Sequence, residues 1–316
     1  MARVLVTRIL PDGGLDPLAA RGHEIVQRAD DTPYSHDELV AAVADTDALI
    51  CLLTDRIDDA VLTAGAAGRL KVVANVAVGY DNIDVAAARR VGVEVCNTPG
   101  VLDETTADLA FLLILAASRL GWDAERDLRA GTWEGWGINQ YLGRDVHDGV
   151  LGLVGYGRIG AAVARRAGGF GMHVLHHTRR DTQIPGYTAS LDHLLAEADI
   201  VSLHVPLNDT TRHLIGRREL GLMKRHGVLV NTARGPVVDE EALADALHDG
   251  TIFAAGLDVY EGEPVIHPRL LSAPRTVLLP HIGSATQATR AKMAQMACDG
   301  VCAVLDGARP PNRVTS

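Results

Sequence analysis

Three polar residues stand at the ends of apolar, strand-like runs in the second half of this chain. They are Arg234 in Asn-Thr-Ala-Arg-Gly-Pro, Glu263 in Asp-Val-Tyr-Glu-Gly-Glu-Pro, and His281 in Leu-Pro-His-Ile-Gly-Ser. An arginine grips a carboxylate through two parallel hydrogen bonds. A histidine moves a proton near neutral pH, and a carboxylate beside it orients the ring and favours its charged form. Together they can hold a small carboxylic acid and pass a proton to or from it. Each has a competing reading. Arg234 could pair with Asp239 or Glu240, Glu261 rivals Glu263, and His204 is a second strand-end histidine.

Upstream lies Gly155-Tyr156-Gly157-Arg158-Ile159-Gly160, after the apolar run Val150–Val154 and before a helical pattern. In that context Gly-x-Gly-x-x-Gly reads as a pyrophosphate turn. Gly155 makes the turn, Gly157 lets backbone approach the ligand, Gly160 lets helix and strand pack closely, and the helix amides receive the phosphates. The next strand ends in Thr178-Arg179-Arg180, with no carboxylate at its tip to hold ribose hydroxyls. A hydroxyl and two guanidiniums suit a 2′-phosphate, so NADPH is the expected cofactor. NADH becomes possible if Asp181 takes the ribose position.

These groups need a scaffold. Short apolar runs alternate with helical patterns, which predicts an α/β chain with parallel sheets. Arg3–Val6, Ala48–Leu53, Val72–Val76 and Val93–Cys96 read as strands of a first unit, with helices over Ser35–Ala44 and Asp58–Ala66. A helix capped near Asp103 should run to about Leu120. A second series has strands at Val150–Val154, His173–His177, Ile200–His204, Val228–Asn231, Ala254–Val259 and Thr276–Leu279. Helices at Ile159–Gly169, Leu191–Ala196 and Glu240–His248 lie between them. The last helix, Gln287–Leu305, has no strand after it and is expected to return to the first unit. The expected domains are 1–99 with 285–316, binding substrate on a flavodoxin-like sheet, and 100–284, a Rossmann-type doubly wound sheet.

Composition bounds the partners. The chain has 316 residues and a formal net charge of −10, which argues against nucleic acid or an anionic membrane surface. Leu109–Ser118 is too short to span a bilayer. Four cysteines, at positions 51, 96, 298 and 302, show no metal-ligand spacing and suit a reducing cytoplasm.

Arg234 to Glu263 is 29 residues and Glu263 to His281 is 18, and this spacing resembles that of the D-isomer-specific 2-hydroxyacid dehydrogenases. The likeness extends through Gly79-Tyr-Asp-Asn-Ile-Asp84, the glycine turn, His204-Val-Pro206-Leu and Ala233-Arg234-Gly to Asp239-Glu240. Asp103-Glu-Thr-Thr106-Ala-Asp and Pro280-His281-Ile-Gly-Ser284-Ala-Thr look most like the glyoxylate/hydroxypyruvate reductases of that family. The resemblance implies that Arg234 binds the substrate carboxylate and keto oxygen, that His281 protonates that oxygen, and that Glu263 holds His281. It implies carboxylate-binding amides at Val78 and Gly79, and a nicotinamide contact from Asp258, with Thr232 and Ala233 lining that pocket. Thr106, Val205 and Pro206 would lie along the cofactor. Leu53 and Ser284 would border the substrate, as would Trp136 from the partner subunit of a homodimer. The implied reaction is NADPH-dependent reduction of glyoxylate or hydroxypyruvate to the D-2-hydroxy acid. Two alternatives are an NAD-linked enzyme for another acid, such as phosphoglycerate, and a non-catalytic, dinucleotide-sensing co-repressor-like protein.

Overall fold

Parallel strands buried on both faces need a helical crossover after each strand, and that alternation organises the whole chain. In the computed structural model, which describes residues 1–314, it begins with β1 (Arg3–Val6), α1 (Asp16–Ala20), β2 (Glu24–Gln27) and α2 (His36–Val43). It continues with β3 (Ala48–Cys51), α3 (Asp59–Ala67), β4 (Val72–Asn75), α4 (Val85–Val91) and β5 (Glu94–Cys96). The five strands pair in parallel in the order β2-β1-β3-β4-β5, the flavodoxin-like arrangement.

Next come α5 (Asp103–Ser118), α6 (Gly121–Arg129), β6 (Val150–Val154), α7 (Arg158–Gly168), β7 (His173–His177), α8 (Leu191–Glu197) and β8 (Ile200–Leu203). The series then runs through α9 (Arg217–Leu222), β9 (Val228–Asn231), a 3₁₀ turn (Gly235–Val237), α10 (Glu240–His248), β10 (Ala254–Leu257), α11 (Pro268–Leu271) and β11 (Thr276–Leu278). These six strands are parallel in the order β7-β6-β8-β9-β10-β11. The strand order reverses between β6 and β8, where a doubly wound sheet binds its ligand. Beyond β7 only a single bridge, His176 to Tyr187, extends the sheet among the described residues.

The final helix, α12 (Gln287–Leu305), packs against α1, β3, β4 and β5. The chain therefore forms two compact units, Met1–Leu102 together with the chain from Ser284 onward, and Asp103–Gly283. Each has its own core. Leu5, Leu49, Ile57 and Leu62 are among the side chains filling the first, while Leu113, Ile114, Leu151 and Leu153 lie on one face of the second sheet and Leu194, Leu195 and Leu203 on the other. No single helix among the described residues is long and apolar enough to cross a membrane.

Several elements differ from the sequence expectation. β3 stops at Cys51, because the Leu52 amide donates to the Asp55 carboxylate (2.8 Å) and turns the chain before Leu53. α5 stops at Ser118; Leu120, at φ 52°, bends the chain into the unexpected α6. β2, α1, α4, α9 and α11 were also not expected.

Two loops at the carboxyl ends of β3 and β4 are tied by amide side chains. Asn82 Nδ2 donates to the carbonyls of Leu52 (3.1 Å) and Asp55 (3.0 Å). Fully buried Asn75 donates to the Gly79 carbonyl (2.8 Å) and to Asn82 Oδ1 (3.0 Å), and Thr7 Oγ1 donates to Asp55 (2.6 Å). Removing the Asn82 amide strips two carbonyls of their donor, at about 1–3 kcal/mol. Asn82→Ala is expected to lower the thermal unfolding midpoint by several degrees, followed by circular dichroism. An unchanged midpoint would show that water replaces the amide without cost.

Candidate active site

The site residues of the second unit sit where its strands end. β9 runs into Thr232-Ala233-Arg234. Buried Asn231 shapes that turn, accepting from the Ala233 amide (3.0 Å) and donating to the Arg234 carbonyl (2.9 Å). Gly235 follows because nothing larger fits: a Cβ there would lie 1.8 Å from the Tyr260 carbonyl carbon. The backbones after β9 and β10 are thus in direct contact.

β10 leads into Asp258, Tyr260 and Glu263. The Tyr260 amide donates to Glu263 Oε1 (2.9 Å), while Glu263 Oε2 lies 2.8 Å from His281 Nδ1. His281 itself has φ 54°, an uncommon backbone state for a non-glycine residue. Its turn is held from below. The buried Asp258 carboxylate accepts from the amides of Ile282 (2.7 Å) and Gly283 (2.8 Å), and the Tyr260 hydroxyl donates to the Leu279 carbonyl (2.9 Å).

The electrostatics follow from these contacts. Burial works to raise the Glu263 carboxyl. The His281 hydrogen bond and charge, the Tyr260 amide and the Arg234 charge outweigh it and hold the group below the usual range. Burial pushes Asp258 up to about 6, against the two amides and the His281 charge. Glu263 is therefore the carboxylate suited to carry negative charge against the imidazole.

His204 is a different kind of histidine. It follows β8, its Nε2 lies 2.9 Å from Ser202 Oγ, and burial holds its pKa down to about 4. It stays neutral where His281 would have to be charged. Glu261, the rival to Glu263, is turned to His213.

The dinucleotide turn has the features that a pyrophosphate needs. Gly155 adopts φ +98°, and a Cβ there would lie 2.5 Å from the His204 carbonyl oxygen. A Cβ on Gly160 would lie 2.4 Å from the Gly155 oxygen, whereas one on Gly157 would meet nothing within 4 Å. Gly157 heads α7 without a side-chain cap, leaving the helix amides for an anion. The Tyr156 ring packs on His176 (4.1 Å), and Arg158 reaches Asp103 (3.4 Å). Ile159 continues the first turn of α7.

At the tip of β7, Arg179 and Arg180 are exposed and form no ion pair among the described residues. The Thr178 hydroxyl donates to the Arg180 carbonyl, so it shapes this turn. Asp181, the alternative ribose ligand, accepts from the Gln183 amide (2.7 Å). Thr106 Oγ1 donates to the Gly283 carbonyl (3.4 Å), Val205 and Pro206 follow His204 after β8, and the Thr232 hydroxyl is buried without a partner among the described residues.

In the first unit, Leu53 is partly exposed. The Val78 and Gly79 carbonyls accept from Asn97 (2.7 Å) and Asn75 (2.8 Å). The Ser284 carbonyl accepts from Thr286 (2.8 Å). Trp136, in an irregular segment after α6, is 81% exposed. No cluster of His, Cys, Asp or Glu suited to a metal ion occurs among the described residues.

Sequence reading missed Asn75, Asn82, Asn231 and Tyr260 as organising residues. For Asn75, Asn231 and Tyr260 the signal was a polar or phenolic group in or just after a buried strand, whereas Asn82 lies in a turn.

A glycine-turned doubly wound sheet with a His–Glu pair and an arginine at its strand ends defines a dinucleotide-dependent oxidoreductase. Comparison with known proteins specifies it. Residues 111–283 match the sequence model of the D-isomer specific 2-hydroxyacid dehydrogenase NAD binding domain. A glyoxylate reductase of Korarchaeum cryptofilum is 48% identical, over 99% of this chain and 95% of its own. The crystal structure of the TT0316 protein from Thermus thermophilus superposes with a TM-score of 0.93 at 45% identity, covering 99% of this chain and all of that one. An NADPH-dependent glyoxylate/hydroxypyruvate reductase from Sinorhizobium meliloti, solved with NADP and malonate, has a TM-score of 0.89 at 34% identity, over 99% and 97% of the two chains. The chain belongs to the D-isomer-specific 2-hydroxyacid dehydrogenase family and is a nicotinamide dinucleotide-dependent oxidoreductase.

The desolvation of His204 has a measurable consequence. Its imidazole is expected to remain neutral in an NMR titration until the pH falls well below 5. The unfolded chain binds this proton near pH 6.5, so the contribution to stability is lost as pH falls through the window from about 6.5 to about 4. A midpoint above pH 6 would refute the desolvation.

Proposed function

We propose that this enzyme reduces small 2-oxo acids, glyoxylate and hydroxypyruvate foremost, to D-2-hydroxy acids with NADPH. The observation that carries the reading is the 2.8 Å contact between His281 Nδ1 and Glu263, beside the Arg234 turn. With Nδ1–H donating to a carboxylate, Nε2 is left to carry the proton that a keto oxygen receives. Glu263 favours the charged imidazole, which is the acid form required for reduction. Arg234 binds the substrate carboxylate, and its positive charge draws electrons toward the keto oxygen.

The glycine turn and α7 would hold the pyrophosphate, and Arg179 and Arg180 the 2′-phosphate. Asp258, Thr106, Thr232, Ala233, Val205 and Pro206 would border the nicotinamide end. The bound cofactor supplies the hydride. The glyoxylate and hydroxypyruvate reductases among its relatives support the substrate choice, and the exposed arginines after β7 support NADPH over NADH.

Leu112, Trp122, Leu128, Trp136, Ile138 and Leu142 expose a run of apolar side chains, which supports a homodimer with this segment in the interface. On this reading the enzyme works in the cytoplasm, where its four buried thiols stay reduced.

His281→Ala is expected to lower kcat for glyoxylate reduction by about 10²-fold or more while NADPH still binds. Near-normal turnover would remove His281 from the chemistry. Arg179→Ala and Arg180→Ala should each shift the NADPH-to-NADH ratio of kcat/KM by roughly tenfold toward NADH, the loss of one charge-assisted phosphate contact. If neither change moves that ratio, the arginines do not read the phosphate.

A further inference from the structure

Glu240 is the first residue of α10 and is only 6% exposed, yet no cation pairs with it among the described residues. Its two oxygens accept from backbone instead. Oε1 takes the Glu261 amide at 2.5 Å and Oε2 the His267 amide at 3.4 Å. Those amides bracket the loop Glu261-Gly-Glu-Pro-Val-Ile-His267, which carries Glu263 between them and is pinched by a Gly262–Val265 bridge. An apolar side chain would fill this space at less desolvation cost, but would leave two inward-facing N–H groups without acceptors. The helix N-terminus, together with those amides, offsets the buried charge.

On its other side, Glu240 is joined to Arg234 by the short 3₁₀ turn Gly235–Val237, and Gly235 packs directly against Tyr260. Glu240 is thus the polar link between the segment bearing Arg234 and the loop bearing Glu263. We infer that Glu240 is a positioning residue: it holds the 261–267 loop so that Glu263 stays aligned on His281, and it touches neither substrate nor cofactor. This rests on the reading of Glu263 and His281 as the proton-transferring pair.

The charged and titratable groups facing that pair are Asp258 and Tyr260 from the β10 side and Arg234 after β9. Those around Glu240 are Glu261 with its partner His213, and His267. None of them replaces the acceptor that Glu240 provides.

The test is steady-state reduction of glyoxylate with NADPH across pH for Glu240→Ala, Glu240→Gln and, in parallel, Glu263→Gln. Rates are taken per NADPH-binding site, so that misfolded protein does not count. Glu240→Ala is expected to lower kcat by about tenfold to a hundredfold, the scale of a misplaced catalytic group, with KM for glyoxylate within about threefold. Because a misaligned Glu263 favours imidazolium less, the acid form is lost at lower pH. The high-pH limb of kcat/KM therefore moves downward, in the direction that Glu263→Gln moves it. Glu240→Gln keeps one carbonyl acceptor, and its kcat should fall between those of Glu240→Ala and the unaltered enzyme. If Glu263→Gln moves the limb and both Glu240 variants leave kcat and the limb in place, Glu240 is merely structural and the inference is overturned. A fall in thermal stability alone would count the same way. If Glu263→Gln itself moves nothing, the proton-transfer reading fails, and this inference fails with it.

Discussion

The carboxylate–imidazole contact between Glu263 and His281 is the interaction around which the second unit is arranged. A carboxylate–imidazole pair half withdrawn from water is favourable only when its geometry is fixed and its remaining lone pairs are satisfied. The chain meets both conditions with backbone rather than with further charged side chains. Glu263 receives the Tyr260 amide on its other oxygen, and Asp258 receives two amides from the turn that presents His281. The tyrosine hydroxyl then fastens the end of β11 to this loop through the Leu279 carbonyl. Loops held by main-chain hydrogen bonds tolerate little drift, which is the condition for directed proton transfer.

Two carboxylates within this small volume are driven in opposite directions. Burial lifts Asp258, whereas the imidazole and guanidinium charges pull Glu263 down. Their environments assign one to shaping the turn and the other to bearing charge. The same contrast separates the two strand-end histidines, for His204 lies beside a neutral hydroxyl and His281 beside a carboxylate.

Much of this was legible in the amino-acid sequence because most of the parallel strands are short apolar runs that alternate with helical patterns. Val150–Val154, His173–His177 and Val228–Asn231 could be read to the residue. β2 could not, since Glu24-Ile-Val-Gln27 is a short, partly exposed edge strand without an apolar run. α4 carried its own signals, an Asp84 cap and a left-handed Gly92, but its Ala-Arg-rich interior shows little periodicity. At the site, residue spacing pointed to Glu263 and His281. It could not reveal that Asp258 accepts from the amides of residues 282 and 283, or that Asn75 and Asn82 brace loops in the first unit. Those contacts join segments brought together only by tertiary folding, and a lone asparagine has many possible partners.

The return of α12 imposes an order on synthesis. Residues 1–102 leave the ribosome with the face of β3 and β4 that α12 will cover still bare, because its Met293, Ala297, Cys298 and Val301 are translated only after the second unit. The second unit is contiguous and can complete its core while the first still waits. A nascent chain that has released the second unit but not yet α12 would therefore hold one finished unit and one with an uncovered apolar sheet. Such an intermediate would expose apolar surface that the finished protein covers, the condition that invites chaperones and aggregation.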